Sequence, residues 1–178
     1  MAKHTPTDAE FDQLVAEALL RHEEAVKAGK VDKADYKGDP KTGHLKGRLG
    51  EWAVEKERGL LHEHRFNDFT GGRSDIGSKT EVRCGFPVIR PDAHDQDAAA
   101  RGMNMVFVRT SKYLNYRTPF EQAVKEWRGV VLEPTGWVNM KATMSSKKNY
   151  GTGPDPTRPA CWTIPPEDQN PMQDLKEI

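Results

Sequence analysis

Segments with the apolar spacing of helices alternate along this chain with short runs typical of β-strands, and this order constrains the fold more than any other feature. One apolar stripe at helical spacing consists of Phe11, Leu14, Val15, Ala18 and Leu19. By contrast, Met105–Val108 is a short, continuous apolar run, which predicts a buried strand. A chain that combines such elements in this way is predicted to be an α/β protein.

Helix boundaries follow from capping and stop signals. The predicted helices cover residues 8–27, 44–58, 92–101 and 119–129. Thr7 and Glu10 have the spacing of a capping box at the start of the first helix, and Thr118 and Glu121 have it at the start of the last. Gly59 ends the second helix.

The remaining elements are short strands and one long loop. The predicted strands cover residues 62–66, 74–77, 79–84, 105–108, 130–133, 136–140 and 161–164. Residues 141–159 are rich in Ser, Lys, Asn, Gly and Pro, which predicts a mobile loop. Because 178 residues suit one domain, we expect residues 1–178 to form a single domain.

Composition excludes several classes of protein. The mean hydropathy is −0.81, and no apolar run approaches the roughly 20 residues that a membrane helix needs. We therefore expect no membrane partner and a cytoplasmic location, since the N-terminus also lacks the apolar stretch of a signal peptide. Cys84 and Cys161 lie far apart and form no Cys-x-x-Cys pair, so two buried thiols are predicted, with a disulfide as the alternative.

The predicted strand at residues 79–84 carries the residues that point to chemistry. Side chains alternate across a strand, so Lys79, Glu81 and Arg83 share one face, and the other face is assigned to the core. Asp75 lies across a tight turn, where its carboxylate can approach that of Glu81. Two close carboxylates repel each other, and their hard oxygen atoms favour Mg²⁺ or Mn²⁺ over zinc. We therefore predict a metal site at Asp75 and Glu81.

Further groups fit the hydrolysis of a phosphodiester. Glu51 shares a helix face with Gly47 and Gly50, which predicts close backbone packing around a third carboxylate that binds the metal or a metal-held water. A bound metal lowers the pKa of its water, and a nearby cation stabilises the charge that develops on the phosphate. The predicted DNA-binding cations are Arg65, Arg73, Lys79 and Arg83.

The order of these motifs resembles a known superfamily. A glutamate-bearing helix (Gly47–Val54) is followed by Asp75 after a turn and then by Glu-Val-Arg at Glu81–Arg83. This pattern is similar to the PD-(D/E)XK nucleases, which have the restriction-endonuclease-like fold, and especially to small nucleases of bacteriophages and mobile elements. The resemblance implies a mixed central β-sheet flanked by helices, in the order helix, three strands, helix, strand.

The resemblance also implies roles for individual residues. Asp75 and Glu81 would bind Mg²⁺, Glu51 would assist from its helix, and Arg83 would occupy the place of the superfamily's lysine. Arginine stays charged and cannot act as a general base at neutral pH. Lys79, on the same predicted strand face, is therefore the candidate for the ammonium role.

The function expected from the sequence is metal-dependent hydrolysis of DNA, with DNA as partner and a homodimer as one possible assembly. The first alternative is a non-catalytic DNA- or protein-binding module on the same fold, such as a phage inhibitor of a host system. Arg83 in place of lysine and the zero net charge favour it. A second alternative is a zinc protein that uses His62, His64, Cys84 and His94.

Overall fold

The computed structural model describes residues 2–29, 38–60, 74–152 and 160–176. Its helices are α1 (Asp8–Lys27), α2 (Pro40–Arg58), α3 (Ala93–Ala100), α4 (Phe120–Trp127) and α5 (Met140–Ser145). Its strands are β1 (Thr80–Cys84), β2 (Val88–Ile89), β3 (Asn104–Thr110), β4 (Leu132–Asn139), β5 (Tyr150–Gly151) and β6 (Cys161–Thr163). None of the described helices is both long and apolar enough to cross a membrane.

The chain divides into two compact units. The strand unit comprises Arg73–Arg109 and Pro134–Ile178. The helical unit comprises Ala2–Gly72 and Thr110–Glu133. The single domain expected from chain length stays a prediction.

The strands form two sheets of three strands each. The first has the order β1-β3-β4, in which β1 and β3 are parallel and Thr80 pairs with Asn104. β4 runs antiparallel to β3, since Met140 N donates to Met103 O beyond one end and Ser111 N donates to Val131 O beyond the other. The second sheet, β2-β6-β5, is antiparallel. The predicted α/β class and mixed sheet are therefore confirmed.

The caps confirm the predicted start of α1 and correct those of α2 and α4. α1 spans residues 8–27 as predicted, with the capping box of Thr7 and Glu10 formed. α2 begins at Pro40, earlier than predicted, because Asp39 caps it by accepting from Lys41 N. The capping box predicted for α4 is absent, since no side chain of its own N-terminal turn caps it. Instead, Phe120 N donates to Asp39 Oδ2 at 2.9 Å.

Several predicted strands and the long loop also differ from the structure. Residues 74–77 form a turn, with a single bridge between Ile76 and Thr80. The two strands predicted at 130–133 and 136–140 are the one strand β4. Residues 141–145 of the predicted loop are helical, because Asn139 caps α5 by accepting from Ala142 N. The strand predicted at 62–66 lies outside the described residues.

A close approach explains how β4 continues through Gly136. Its φ is +156°, and a Cβ at this position would lie 2.7 Å from Asn170 O. The neighbouring Trp137 forms an antiparallel bridge with Asn170. Glycine therefore lets the C-terminal segment pair with β4 without interrupting the strand.

In the core of the strand unit, α3 packs on one face of β1 and β3. Ala98 and Ala99 of α3 are buried in one apolar cluster with Met105 and Phe107 of β3. In the parallel register, Glu81 pairs with Met105 and Arg83 with Phe107, so these four strand residues share a face. The sequence assigned only the opposite face of β1 to the core. Both faces are packed, because Thr80 is fully buried and Glu81 is only 4% exposed.

Candidate active site

The predicted tight turn anchors Asp75 to the strand that carries Glu81. Ile76 N donates to Thr80 O at 3.0 Å, and Ser74 Oγ donates to Gly77 O at 2.6 Å, which closes the turn. The carboxylate of Asp75 accepts a hydrogen bond of 2.7 Å from Val82 N, the amide next to Glu81. The turn therefore anchors one carboxylate to the strand that carries the other.

Two basic side chains, one on α3 and one at its C-cap, face the carboxylate of Glu81. Oε2 lies 3.6 Å from His94 Nε2, and Oε1 lies 3.9 Å from Arg101 Nη2. His94 and Arg101 are seven residues apart, so they fall on the same side of the helix. Neither residue was predicted to lie beside Glu81. Their spacing of seven residues on the predicted helix at 92–101 could have indicated that both lie on the same side of that helix.

The carboxylates of Glu81 and Asp75 both affect the pKa of His94. Its close contact with the Glu81 carboxylate raises the pKa of the imidazole, and burial opposes this effect. The charges of Glu81, Asp95 and Asp75 raise the pKa further, and the net pKa lies above its usual value. The side chain is nonetheless 67% exposed. A partly exposed imidazole therefore lies in the negative field of the two predicted metal ligands.

Arg83 points away from the role that the sequence suggested. Its Nη1 donates to Val88 O at 2.9 Å, and its Nη2 donates to Asp95 Oδ1 at 2.8 Å. Asp95 is fully buried and also accepts from Arg90 N at 2.6 Å. Arg83 thus connects β1 with β2 and α3. This geometry differs from the expectation that the guanidinium grips phosphate.

Lys79 remains compatible with the predicted ammonium role. It lies in the turn just before β1, one residue outside the strand predicted at 79–84, and its side chain is exposed. Its carbonyl accepts from Asn104 N at 2.8 Å, which fixes the backbone of the turn to the start of β3. Arg65 and Arg73, the other predicted DNA contacts, lie outside the described residues.

Glu51 is engaged by arginines within the helical unit. Its two oxygens accept from Arg21 Nη1 at 2.8 Å and from Arg21 Nη2 at 2.7 Å, and Arg48 Nη1 donates to Oε2 as well. Burial raises the pKa of the Glu51 carboxyl, but Arg21 and Arg48 outweigh burial and the net pKa is lowered. Glu51 is therefore ionised and already balanced by cations.

The close packing around Glu51 that was predicted from Gly47 is not observed. A Cβ added at Gly47 would lie 3.8 Å from Glu51 Oε1, which is an ordinary van der Waals distance. An alanine would fit there, so close packing does not require glycine at this position. The residue that crowds Glu51 is Arg48, which is 1% exposed and also donates to Glu17 Oε2 at 2.8 Å.

The zinc alternative receives no support from the part of the chain that the structure describes. In residues 2–29, 38–60, 74–152 and 160–176, no group of three or more His, Cys, Asp or Glu side chains is arranged to hold a metal ion. Cys84 and Cys161 are free thiols, as predicted, although Cys84 is only half-buried. His62 and His64 lie outside the described residues.

No protein-family model matches the chain, and no curated protein or solved structure matches it significantly. The resemblance to restriction-endonuclease-like enzymes therefore depends on the residues themselves. Of those residues, Asp75 is hydrogen-bonded to the strand that carries Glu81, and Arg83 contacts Asp95 within the strand unit.

Proposed function

We propose that the protein is a metal-dependent nuclease that hydrolyses DNA phosphodiester bonds at Asp75 and Glu81. The observation that carries the proposal is the hydrogen bond from Val82 N to Asp75 Oδ2, which holds the two carboxylates on adjoining segments. The described elements from α2 onward follow the order α2, β1, β2, α3, β3, and the parallel pairing of β1 with β3 on either side of α3 supports a restriction-endonuclease-like core.

The donor set suits Mg²⁺ or Mn²⁺. Magnesium is commonly bound through one or two carboxylates, with water and substrate phosphates as its other ligands, so a pair of carboxylates is sufficient. Asp75 and Glu81 would hold the ion. When bound, it would supply charge neutralisation at the phosphate and a more acidic water. We leave Glu51 out of this set, because Arg21 and Arg48 already balance its charge.

The basic side chains around Glu81 have different roles. His94 and Arg101 lie over the carboxylate from α3 and can donate to a phosphate oxygen bound beside it. Lys79 is exposed in the preceding turn and can do the same. Arg83 acts as a positioning residue, since its contacts with Val88 O and Asp95 hold β2 and α3 against β1.

The test is cleavage of supercoiled, single-stranded and branched DNA in the presence of Mg²⁺ or Mn²⁺. We expect Asp75→Asn and Glu81→Gln to lower the cleavage rate by about 100-fold or more, because each removes a charged ligand worth several kcal/mol. The matched control is Glu167→Gln, which changes an exposed carboxylate of the strand unit and should leave the rate unchanged. Full activity in both site variants, or no cleavage by the wild type, would contradict the proposal.

A second candidate is a non-catalytic module on the same fold. The observation that favours it is that two basic side chains, His94 and Arg101, face Glu81 and compete with a metal. Calorimetry with Mn²⁺ separates the two: binding that Glu81→Gln abolishes supports the nuclease, and an absence of heat supports the module. Light scattering on the same sample would test the predicted homodimer.

A further inference from the structure

The loop between β3 and α4 is a basic surface with an exposed aromatic ring. We call residues 111–118 the basic loop; it belongs to the helical unit and contains Lys112, Tyr113, Tyr116 and Arg117. The sequence has no acidic residue between Asp97 and Glu121. Tyr113 is 65% exposed, the largest exposed fraction among the large hydrophobic residues that the structure describes.

The basic loop is held in one conformation by its own hydrogen bonds. Ser111 N donates to Val131 O at 2.9 Å, and Val131 N donates back to Ser111 Oγ at 3.0 Å. Asn115 accepts from Arg117 N at 3.1 Å through its side chain and from Thr118 N at 3.0 Å through its carbonyl. Leu114 is only 1% exposed and anchors the loop in the core. The exposure of Tyr113 is therefore a property of an ordered segment.

Helix α2 brings a further cation to the ring. Thr42 Oγ1 donates to Thr118 O at 2.9 Å, and Lys46 Nζ donates to Leu114 O at 3.0 Å. Lys46 Nζ also lies 6.0 Å from the centre of the Tyr113 ring. Lys46 of α2 thus places a positive charge beside the exposed ring of Tyr113.

A rigid aromatic ring beside cations fits one class of ligand. Unpaired nucleotides stack their bases on aromatic side chains while lysine and arginine contact the phosphates, whereas bases within a duplex are not available for stacking. We propose that the basic loop binds single-stranded nucleic acid, with Tyr113 stacking on a base and Lys46 and Arg117 contacting phosphates. This binding is separate from the proposed cleavage, because it needs neither Asp75 nor Glu81.

The Tyr113 ring and the positive charges of Lys46 and Arg117 should affect the binding affinity differently, so the two contributions can be measured separately. Stacking on Tyr113 gives a preference for unpaired over paired nucleotides that salt changes little. Contacts from Lys46 and Arg117 to phosphates release counterions, so they weaken as salt rises. Arg117 is exposed, with its Cζ 5.7 Å from the Tyr116 ring, and is free of any acidic partner in its own loop.

The test is fluorescence anisotropy of the full chain with a labelled oligothymidine and with a duplex of the same length, both in EDTA. We expect the wild type to prefer the single strand. Tyr113→Ala should weaken binding to it by about 5- to 150-fold, the range that base stacking gives, and Tyr113→Phe should bind like the wild type. The matched control is Tyr150→Ala, which removes an exposed tyrosine of the strand unit and should bind like the wild type.

Each other outcome overturns the inference. These outcomes are wild-type affinity in Tyr113→Ala, equal affinity of the wild type for the duplex or for heparin, and no binding at all. Arg117→Ala, whose exposed side chain can change without unfolding the chain, should flatten the salt dependence and provides a second measurement. EDTA prevents metal-dependent cleavage during the binding measurement. If the protein binds through Tyr113 but does not cleave DNA with Mg²⁺ or Mn²⁺, only the proposed nuclease is contradicted. Cleavage with unchanged binding in Tyr113→Ala would contradict only this inference.

Discussion

Arg83 and Asp95 form an ion pair of 2.8 Å that joins β1 to α3. Asp95 is fully buried, and its second oxygen accepts from the amide of Arg90 just after β2. The pair therefore holds three consecutive elements together. It also accounts for the arginine at this position, since a planar guanidinium can donate to Asp95 and Val88 O at once and an ammonium offers no such fork.

The first prediction tests this positioning role. Arg83→Lys keeps the charge but loses the paired geometry, so one buried acceptor is left without its donor. We expect the free energy of unfolding to fall by about 1–3 kcal/mol, measured by urea denaturation. Arg109→Lys, which changes an exposed arginine of β3, is the control and should stay within about 0.5 kcal/mol of the wild type. Equal stability of the two variants would contradict the role.

The second prediction concerns the buried ion network of α1 and α2. Arg48→Met would leave the carboxylates of Glu17 and Glu51 with fewer cations in a buried setting. Breaking a buried pair in this way costs about 3–5 kcal/mol, which thermal or urea unfolding would detect. Lys27→Met, at the exposed end of α1, should have little effect. A stable Arg48→Met variant would show that the network contributes little.

The third prediction separates Glu51 from the proposed metal ligands. Glu51→Gln should leave the affinity for Mn²⁺ unchanged, because the carboxylate is balanced by Arg21 and Arg48. Calorimetry on folded protein makes the comparison with Glu81→Gln, which should lose the binding. A loss of Mn²⁺ affinity in Glu51→Gln would restore the metal-binding role that the sequence predicts for this residue.

The fourth prediction is a pH dependence at the start of α1. Hydrogen bonds from Lys56 and from Thr7 lower the pKa of Glu10 from 4.5 to about 2. A carboxyl with a lowered folded-state pKa stabilises the fold above its unfolded pKa, and this contribution is lost as pH falls from about 4.5 to about 2. Because Glu10 is near the surface, we expect less than about 1 kcal/mol.

Urea denaturation of the wild type and Glu10→Gln across this pH range measures the effect. The difference in unfolding free energy between the two should shrink as the pH approaches 2. Glu23→Gln, an exposed glutamate further along α1, serves as the control. A difference that stays constant with pH would contradict the prediction.

The fifth prediction concerns the double cap made by Asp39. Its two oxygens accept from Lys41 N at 3.0 Å and from Phe120 N at 2.9 Å, so one side chain caps both α2 and α4. Asp39→Ala should lower the free energy of unfolding by about 1–3 kcal/mol, since two amides lose their acceptor. Asp174→Ala, at an exposed position, should leave it unchanged.

The sequence by itself determined the features that depend on neighbours along the chain. The capping box of α1 and the presence of a helix at residues 92–101 were predicted correctly, because the signals for both lie within a few residues of each other. The same holds for the turn between Asp75 and Glu81, since strand alternation and turn propensity are local. These local rules were enough to predict the turn that ties Asp75 to the strand of Glu81.

Only the tertiary structure decided which partners the charged side chains meet. Glu51 meets Arg21 across 30 positions of the chain, and Asp39 caps a helix that begins 81 positions later. Strand alternation put Arg83 on the correct face, but the buried Asp95 on that face determines where its guanidinium points. Long, flexible charged side chains have many rotamers of similar energy, so the choice among them depends on the charges that folding brings nearby.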